Sequence, residues 1–281
     1  MRYTITVMTR KKLTGWPARL LRLFAGLCGI ILVASITYLA LWKIDNDHIK
    51  ALNNSIQQVA NVQEVDDSAT TQLVGDDKAR ADDPYWDYVK MKLIDVDFTK
   101  LKERNNQTVG WIQVGGTNIN YPFVQTDNND YYLTHDFDKQ YNAAGWVYMD
   151  YRNNPYGNNR NTIIYGHSRL DQTMFGSLKN ILTNGWLNNT DNYIVRLSTE
   201  SENTLWQVFS VYHVPTTNDY LQTSFSSDQQ YQDFLNMLKN RSAHDFNTNV
   251  TSNDRVLTLS TCYGYTDRVV LHAKLIKVEQ R

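Results

Sequence analysis

The chain has 281 residues, enough for one large or two small domains, each with a core of useful size. Its formal net charge is −1, so it lacks the basic excess of nucleic-acid-binding proteins, and no nucleic-acid partner is expected. Its two cysteines cannot form a disulfide framework. Cys28 lies in an apolar, membrane-like segment, so a disulfide bond between Cys28 and Cys262 is not expected. Cys262 is therefore predicted to be a free thiol.

An uncharged apolar segment near the N-terminus, Leu23 to Trp42, is long enough to cross a membrane. Several basic residues precede it and two aspartates follow it, so the positive-inside rule places residues 1–22 in the cytoplasm. Everything after residue 42 is then outside the cell. A cleaved signal peptide is the alternative, but its apolar region is normally shorter and ends at a small-residue site. The sequence favours an uncleaved, single-pass anchor in the cell membrane.

Residues 43–83 are predicted to form an extracellular stem and linker. Five apolar residues recur at steps of three and four: Ile49, Leu52, Ile56, Val59 and Val62. This spacing marks one face of a helix, which could pack on the following domain, form a weak coiled coil or remain solvated. The stretch from Asp66 to Asp83 is rich in Asp, Ser, Thr and Ala, a composition that predicts a flexible linker.

The remaining residues, 84–281, are predicted to form a mainly β catalytic domain. Short β-branched and aromatic runs are separated by Gly, Asn and Asp: 110–114, 119–121, 145–149, 162–165, 193–197, 205–214, 255–261 and 269–278. Many short strands at such spacing predict a barrel or a sandwich. Helices are expected from Asp97 to Arg104 and from Asp228 to Asn240, the latter capped by Ser227 or Asp228.

Cys262 ends one of the last predicted strands, and Arg268 begins the next. A nearby cation favours the thiolate form of cysteine and can stabilise charge that develops on an oxygen atom. A lone cysteine on a strand is also often a small buried residue, and Arg268 could instead form a surface salt bridge. His167 follows a glycine at the end of another apolar strand, where side chains face a cleft. His272 is interpreted as structural.

Other catalytic motifs are missing from the sequence. It contains neither a Gly-x-Ser-x-Gly elbow nor a His-Glu-x-x-His motif or paired Cys-x-x-Cys, so a serine hydrolase and a zinc enzyme are not expected. No metal or other cofactor is predicted.

From about Asn106 to Val278 the chain resembles class B sortases, membrane-anchored cysteine transpeptidases of Gram-positive bacteria. Stretches that carry the resemblance are Gly110–Ile112, Gly116–Pro122, Asp127–Asn128, Tyr132–Leu133, Gly145–Asp150, Ile163–His167, Met174–Gly176, Thr258–Cys262 and Arg268–Val270. The resemblance implies a closed sortase-type β-barrel with flanking helices. Two features depart from many relatives: Tyr263 directly follows the cysteine, and the turn before Arg268 is short.

The resemblance also implies how the site works. Cys262 attacks a threonine carbonyl of a C-terminal sorting signal, His167 protonates the departing amine, and Arg268 donates hydrogen bonds to the carbonyl oxygen. A peptidoglycan cross-bridge amine then resolves the thioacyl enzyme. The substrate-binding residues implied by position are Asn129, Leu133, Thr217, Tyr220, Leu221 and Ser260. A pilin lysine acceptor, plain hydrolysis and a membrane-anchored binding module without turnover remain alternatives.

Overall fold

The computed structural model describes residues 15–75, 83–264 and 266–281. The chain divides into two compact units, Met1–Asp47 and His48–Arg281. The first contains the apolar half of a long helix, α1 (Trp16–Ala60). The apolar side chains of this half are exposed. Within the described part of the chain, α1 is the one helix long and apolar enough to cross a membrane.

Eleven strands and four further α-helices are found among the described residues. The strands are β1 (Gln63–Val65), β2 (Thr71–Leu73), β3 (Leu93–Asp95), β4 (Thr108–Val114), β5 (Asn120–Val124), β6 (Tyr148–Met149), β7 (Asn161–Tyr165), β8 (Ile194–Ser198), β9 (Glu202–Pro215), β10 (Val256–Tyr263) and β11 (Asp267–Gln280). The helices are α2 (Tyr85–Tyr88), α3 (Phe98–Arg104), α4 (Asn184–Leu187) and α5 (Asp228–Asn240). Short 3-10 helices span Tyr131–Leu133, Gly176–Leu182 and Thr190–Asn192.

Eight strands close into a barrel in the order β10-β7-β6-β5-β4-β8-β9-β11. The ring closes because β10 pairs along its whole length with β11, from Val256↔Lys274 to Tyr263↔Asp267. Three tryptophans that are at most 2% exposed belong to the core: Trp111, Trp146 and Trp206. Burial of this much aromatic surface is a large part of the driving force for folding. The closed β-barrel expected from the resemblance is confirmed.

The flanking helix α5 has the bounds predicted from the sequence. Ser227 caps its N-terminus by accepting a hydrogen bond from the Gln230 amide. Its apolar face packs on the outside of the barrel, where Tyr231, Phe234 and Leu238 join a second cluster of buried side chains. α3 begins one residue later than predicted because Asp97 is its N-cap and accepts from the Thr99 amide at 2.9 Å.

The predicted stem is partly integrated into the second unit. Ile49, Leu52 and Ile56 are buried in its main core, so this helical face packs on the domain and is not solvated.

The flexible linker expected from Asp66 onward differs from the structure over residues 66–75. There β2 pairs with β11, and Asp67 forms a 2.6 Å ion pair with Lys277, whose side chain is fully buried. Backbone pairing, a buried cation and the packing of Val74 against the core order this segment, although its composition is mostly polar and small. Residues 76–82 of the predicted linker lie outside the described residues.

Candidate active site

The hairpin of β10 and β11 places a thiol beside a guanidinium. Cys262 and Arg268 are direct partners in the antiparallel register, so their side chains point to the same side of the sheet. Directly opposed residues have Cβ atoms about 4.5–5.5 Å apart. Arg268 also donates from Nη1 to the Asp267 carbonyl oxygen at 3.0 Å. The short turn therefore brings the two side chains together.

His167 reaches the same end of the barrel because β7 runs parallel to β10. Tyr165 pairs with Ser260, and both His167 and Cys262 lie two residues farther along their segments. The Thr261 hydroxyl donates to the Gly166 carbonyl at 2.7 Å and fastens the end of β7 to the cysteine strand. Histidine and cysteine consequently occupy corresponding positions at adjacent strand ends.

The His167 ring is held by main-chain groups. Its Nε2 lies 2.8 Å from the Leu133 carbonyl oxygen, and because a carbonyl can only accept, Nε2 is the protonated nitrogen. Gly145 packs directly against the ring with a positive φ of 58°. A Cβ there would lie 2.9 Å from His167 Cδ2 and 2.4 Å from the Tyr132 carbonyl oxygen. Glycine at 145 therefore leaves the space that the histidine occupies.

All nine predicted site residues line one cleft of about 430 Å³. They are Asn129, Leu133, His167, Thr217, Tyr220, Leu221, Ser260, Cys262 and Arg268. Cys262 is partly exposed, as a nucleophile must be, whereas Ser260 is buried. The Ser260 hydroxyl lies 2.9 Å from that of Tyr220, and burial raises the pKa of Tyr220, so its phenol remains protonated.

A second cavity of about 450 Å³ lies beside the C-terminal end of α5, lined by residues that include Lys239 and His244. It contains no cysteine and is distinct from the cleft at Cys262. Among the described residues, no group of three or more His, Cys, Asp or Glu is arranged to hold a metal ion.

His272 lies away from the cleft lining and is fully buried. Its ring nitrogens contact the Thr258 and Tyr212 hydroxyls at 2.9 and 2.8 Å. Burial, followed by the charge of Arg241, lowers the pKa of His272 to about 3, so the ring is neutral at physiological pH. This environment agrees with its interpretation as a structural histidine.

Several lining residues were not predicted from the sequence: Asp130, Tyr148, Tyr165, Gly166, Thr216, Asn218 and Thr261. Tyr165 could have been found, since it lies two residues before His167 and side chains alternate along a strand. Tyr148 is the cross-strand partner of Tyr165, with ring centroids 5.2 Å apart, and that pairing is visible only in the fold.

A family model, described as the sortase domain, matches residues 112–276. The chain belongs to the sortase family. Two curated relatives are sortase B of Listeria monocytogenes, 32% identical over 264 residues, and sortase B of Staphylococcus aureus, 39% identical over 185 residues. The first alignment covers 90% of this sortase and 97% of the relative, and the second covers 64% and 75%.

Solved structures of sortase B share the fold. The complex of the Bacillus anthracis enzyme with AAEK1 superposes with a TM-score of 0.68 at 32% identity, over 83% of this sortase and 99% of that chain. A Staphylococcus aureus sortase B–substrate complex gives 0.60 at 38% identity, covering 64% and 84%. A sortase B complexed with triglycine gives 0.60 at 38%, covering 64% and 85%. This sortase is therefore a class B cysteine transpeptidase.

Proposed function

We propose that this sortase cleaves a C-terminal sorting signal after threonine and joins the released protein to an amine of the peptidoglycan cross-bridge. The observation that carries the proposal is the single cleft that holds a partly exposed thiol, an imidazole and a guanidinium with six candidate peptide-binding residues. The signal is of the Asn-Pro-x-Thr or Leu-Pro-x-Thr-Gly kind. The hydroxyl and aromatic lining suits an extended peptide.

In the first half-reaction, the Cys262 thiolate attacks the threonine carbonyl carbon and forms a C–S bond. Arg268, opposite the cysteine in the hairpin, donates hydrogen bonds to the oxygen on which negative charge develops. The C–N bond then breaks, and His167 gives a proton to the departing amine. Because Nε2 of His167 is engaged by the Leu133 carbonyl, Nδ1 is the nitrogen that exchanges the proton. The product is a thioester between Cys262 and the threonine.

In the second half-reaction, an amine attacks the thioester carbonyl and His167 takes the proton that the amine loses. The new amide forms as the C–S bond breaks, and Cys262 is regenerated. The relatives solved as a substrate complex and as a complex with triglycine support a peptide donor and an amine acceptor by similarity.

Membrane attachment by α1 completes the proposal. Its uncharged segment from Leu23 to Trp42 crosses the cell membrane once, with residues 1–22 in the cytoplasm and the barrel outside. This orientation puts the cleft in the compartment that contains the cell wall.

The test uses the full chain in detergent with quenched peptides of both signal kinds and triglycine as the amine. We expect triglycine-dependent ligation, and its complete loss in Cys262→Ala. Cys28→Ala is the matched control because it removes the other cysteine and should keep full activity. Cleavage without ligation would indicate a hydrolase, and ligation with only a lysine-containing pilin peptide would indicate a pilin acceptor. Binding of the peptide without turnover would indicate a binding module.

A further inference from the structure

A buried carboxylate lies just behind the cleft and outside its lining. Asp150, in the turn after β6, is 0% exposed. Its Oδ1 accepts a hydrogen bond from Arg152 Nε at 2.8 Å. Its Oδ2 accepts from Arg152 Nη2 at 2.7 Å, the Tyr165 hydroxyl at 2.8 Å and Asn129 Nδ2 at 3.1 Å. Two of these donors, Tyr165 and Asn129, belong to residues that line the cleft.

Arg152 extends the network to a third lining residue. Its Nη2 also donates to the Leu221 carbonyl oxygen at 3.0 Å. Leu221 lies between β9 and α5, whereas Asn129 lies after β5. The Asp150–Arg152 pair therefore connects two loops that are distant in sequence. The side-chain oxygen of Asn129 is fixed as well, because it accepts from the Tyr151 amide at 3.0 Å.

The network is charged at neutral pH. Burial alone would raise the pKa of Asp150, but hydrogen bonds from Arg152 and Tyr165 outweigh it and hold this pKa below its usual range. The carboxylate is therefore ionised and can accept from all of its donors. A bidentate Arg–carboxylate pair also fixes geometry, which a single ammonium cannot do.

We propose that Asp150 and Arg152 are positioning residues that set the spacing of Asn129, Tyr165 and Leu221 and thereby the fit of the cleft to the sorting signal. The inference rests on the proposed function, since Asn129 and Leu221 are among the proposed peptide-binding residues and Tyr165 lines the same cleft. Neither residue of the pair lines the cleft, so they act through the residues they hold. The expected signature is weaker peptide recognition with intact thiol chemistry.

The test variant is Arg152→Lys, which keeps the positive charge but cannot bridge both Asp150 oxygens and the Leu221 carbonyl. We expect the KM for the sorting peptide to rise about tenfold, as for loss of a charge-assisted hydrogen bond. The kcat should stay within about twofold of wild type, because the groups at the reacting carbonyl are unchanged. The rate of Cys262 alkylation by iodoacetamide should also be unchanged.

Arg255→Lys is the matched control. Arg255 forms a bidentate pair with Glu202, with N–O distances of 2.6 and 3.2 Å, beside the start of β10 and at the opposite end of that strand from Cys262. This variant should leave KM unchanged, while thermal unfolding of both variants monitors stability.

Each outcome separates the inference from the proposed function. If wild type shows no ligation, the proposed function fails. If wild type ligates and Arg152→Lys has the wild-type KM, the positioning role is overturned. A loss confined to kcat or to thiol alkylation, or an equal KM rise in Arg255→Lys, overturns it as well.

Discussion

The side chains proposed to carry the chemistry are oriented largely by main-chain atoms. The Leu133 carbonyl holds His167, the Asp267 carbonyl holds Arg268, and the hairpin register sets Cys262 opposite Arg268. Because backbone geometry sets these orientations, small changes in the surrounding main chain should affect catalysis more than stability. Gly145 is the position where this relationship is most direct.

We expect Gly145→Ala to reduce kcat/KM by about a hundredfold, the effect that follows when a catalytic group is misplaced by about 1 Å. The added Cβ would press on His167 Cδ2 and on the Tyr132 carbonyl oxygen, and alanine is strained at a φ of 58°. Such strain should destabilise the fold by about 1–3 kcal/mol. Peptide-cleavage kinetics and urea denaturation measure the two effects separately.

Gly157→Ala is the control for backbone strain. Gly157 also has a positive φ, 97°, but the nearest atom to an added Cβ is 3.6 Å away, an ordinary contact. This variant should lose stability but retain kcat/KM. Equal losses of activity in the two variants would show that strain, and not contact with the histidine ring, governs the effect.

For single residues, the sequence predicted those with distinctive chemistry and missed those with supporting roles. Cys262, His167 and Arg268 lie at strand ends. Sequence patterns predict where strands end, and strand ends lie at the rim of a barrel. Asp150 and Arg152 follow a two-residue strand in a polar turn, where aspartate and arginine are common for many reasons. Their proposed role depends on hydrogen bonds to Asn129, Tyr165 and Leu221. Contacts between residues so distant in sequence leave no local pattern that a sequence analysis could detect.

Among the elements, those with many residues of clear periodicity were predicted well. α5 has a cap and a full apolar face, and the long strands β9 and β11 are rich in β-branched and other apolar residues. β1, β2 and β3 have three residues each, too few to show a period, and they are ordered by pairing with other strands. The helix after the membrane segment showed an apolar face, but periodicity alone could not identify what covers it.

The C-terminal half of α1 should stabilise the barrel. Ile56 is 0% exposed in the main core, so Ile56→Ala should lower the free energy of unfolding by about 2–4 kcal/mol. Gln58→Ala, at an exposed position on the same helix, should change it by less than about 0.5 kcal/mol. Urea denaturation of a fragment starting at His48 measures both values. Equal, small effects would mean that the helix is dispensable to the domain.

At the scale of the whole molecule, the compact second unit begins at His48, well before the predicted domain start at residue 84. We propose that the catalytic domain includes the end of α1, since Ile49, Leu52 and Ile56 belong to its core. Only a short segment then separates the last residues of the apolar span from the folded domain.

The side of the membrane can be determined from the chain's own thiols. The sequence has two cysteines, so Cys28→Ala leaves Cys262 as the single reactive site. Because Cys262 is partly exposed, a membrane-impermeant maleimide should label this variant in intact cells, and adding Cys262→Ala should abolish the labelling. The reverse control is Thr4→Cys in the cysteine-free chain, which should be labelled only after lysis because residues 1–22 are expected in the cytoplasm. If the two labelling patterns are exchanged, the barrel faces the cytoplasm and cannot reach a cell-wall amine.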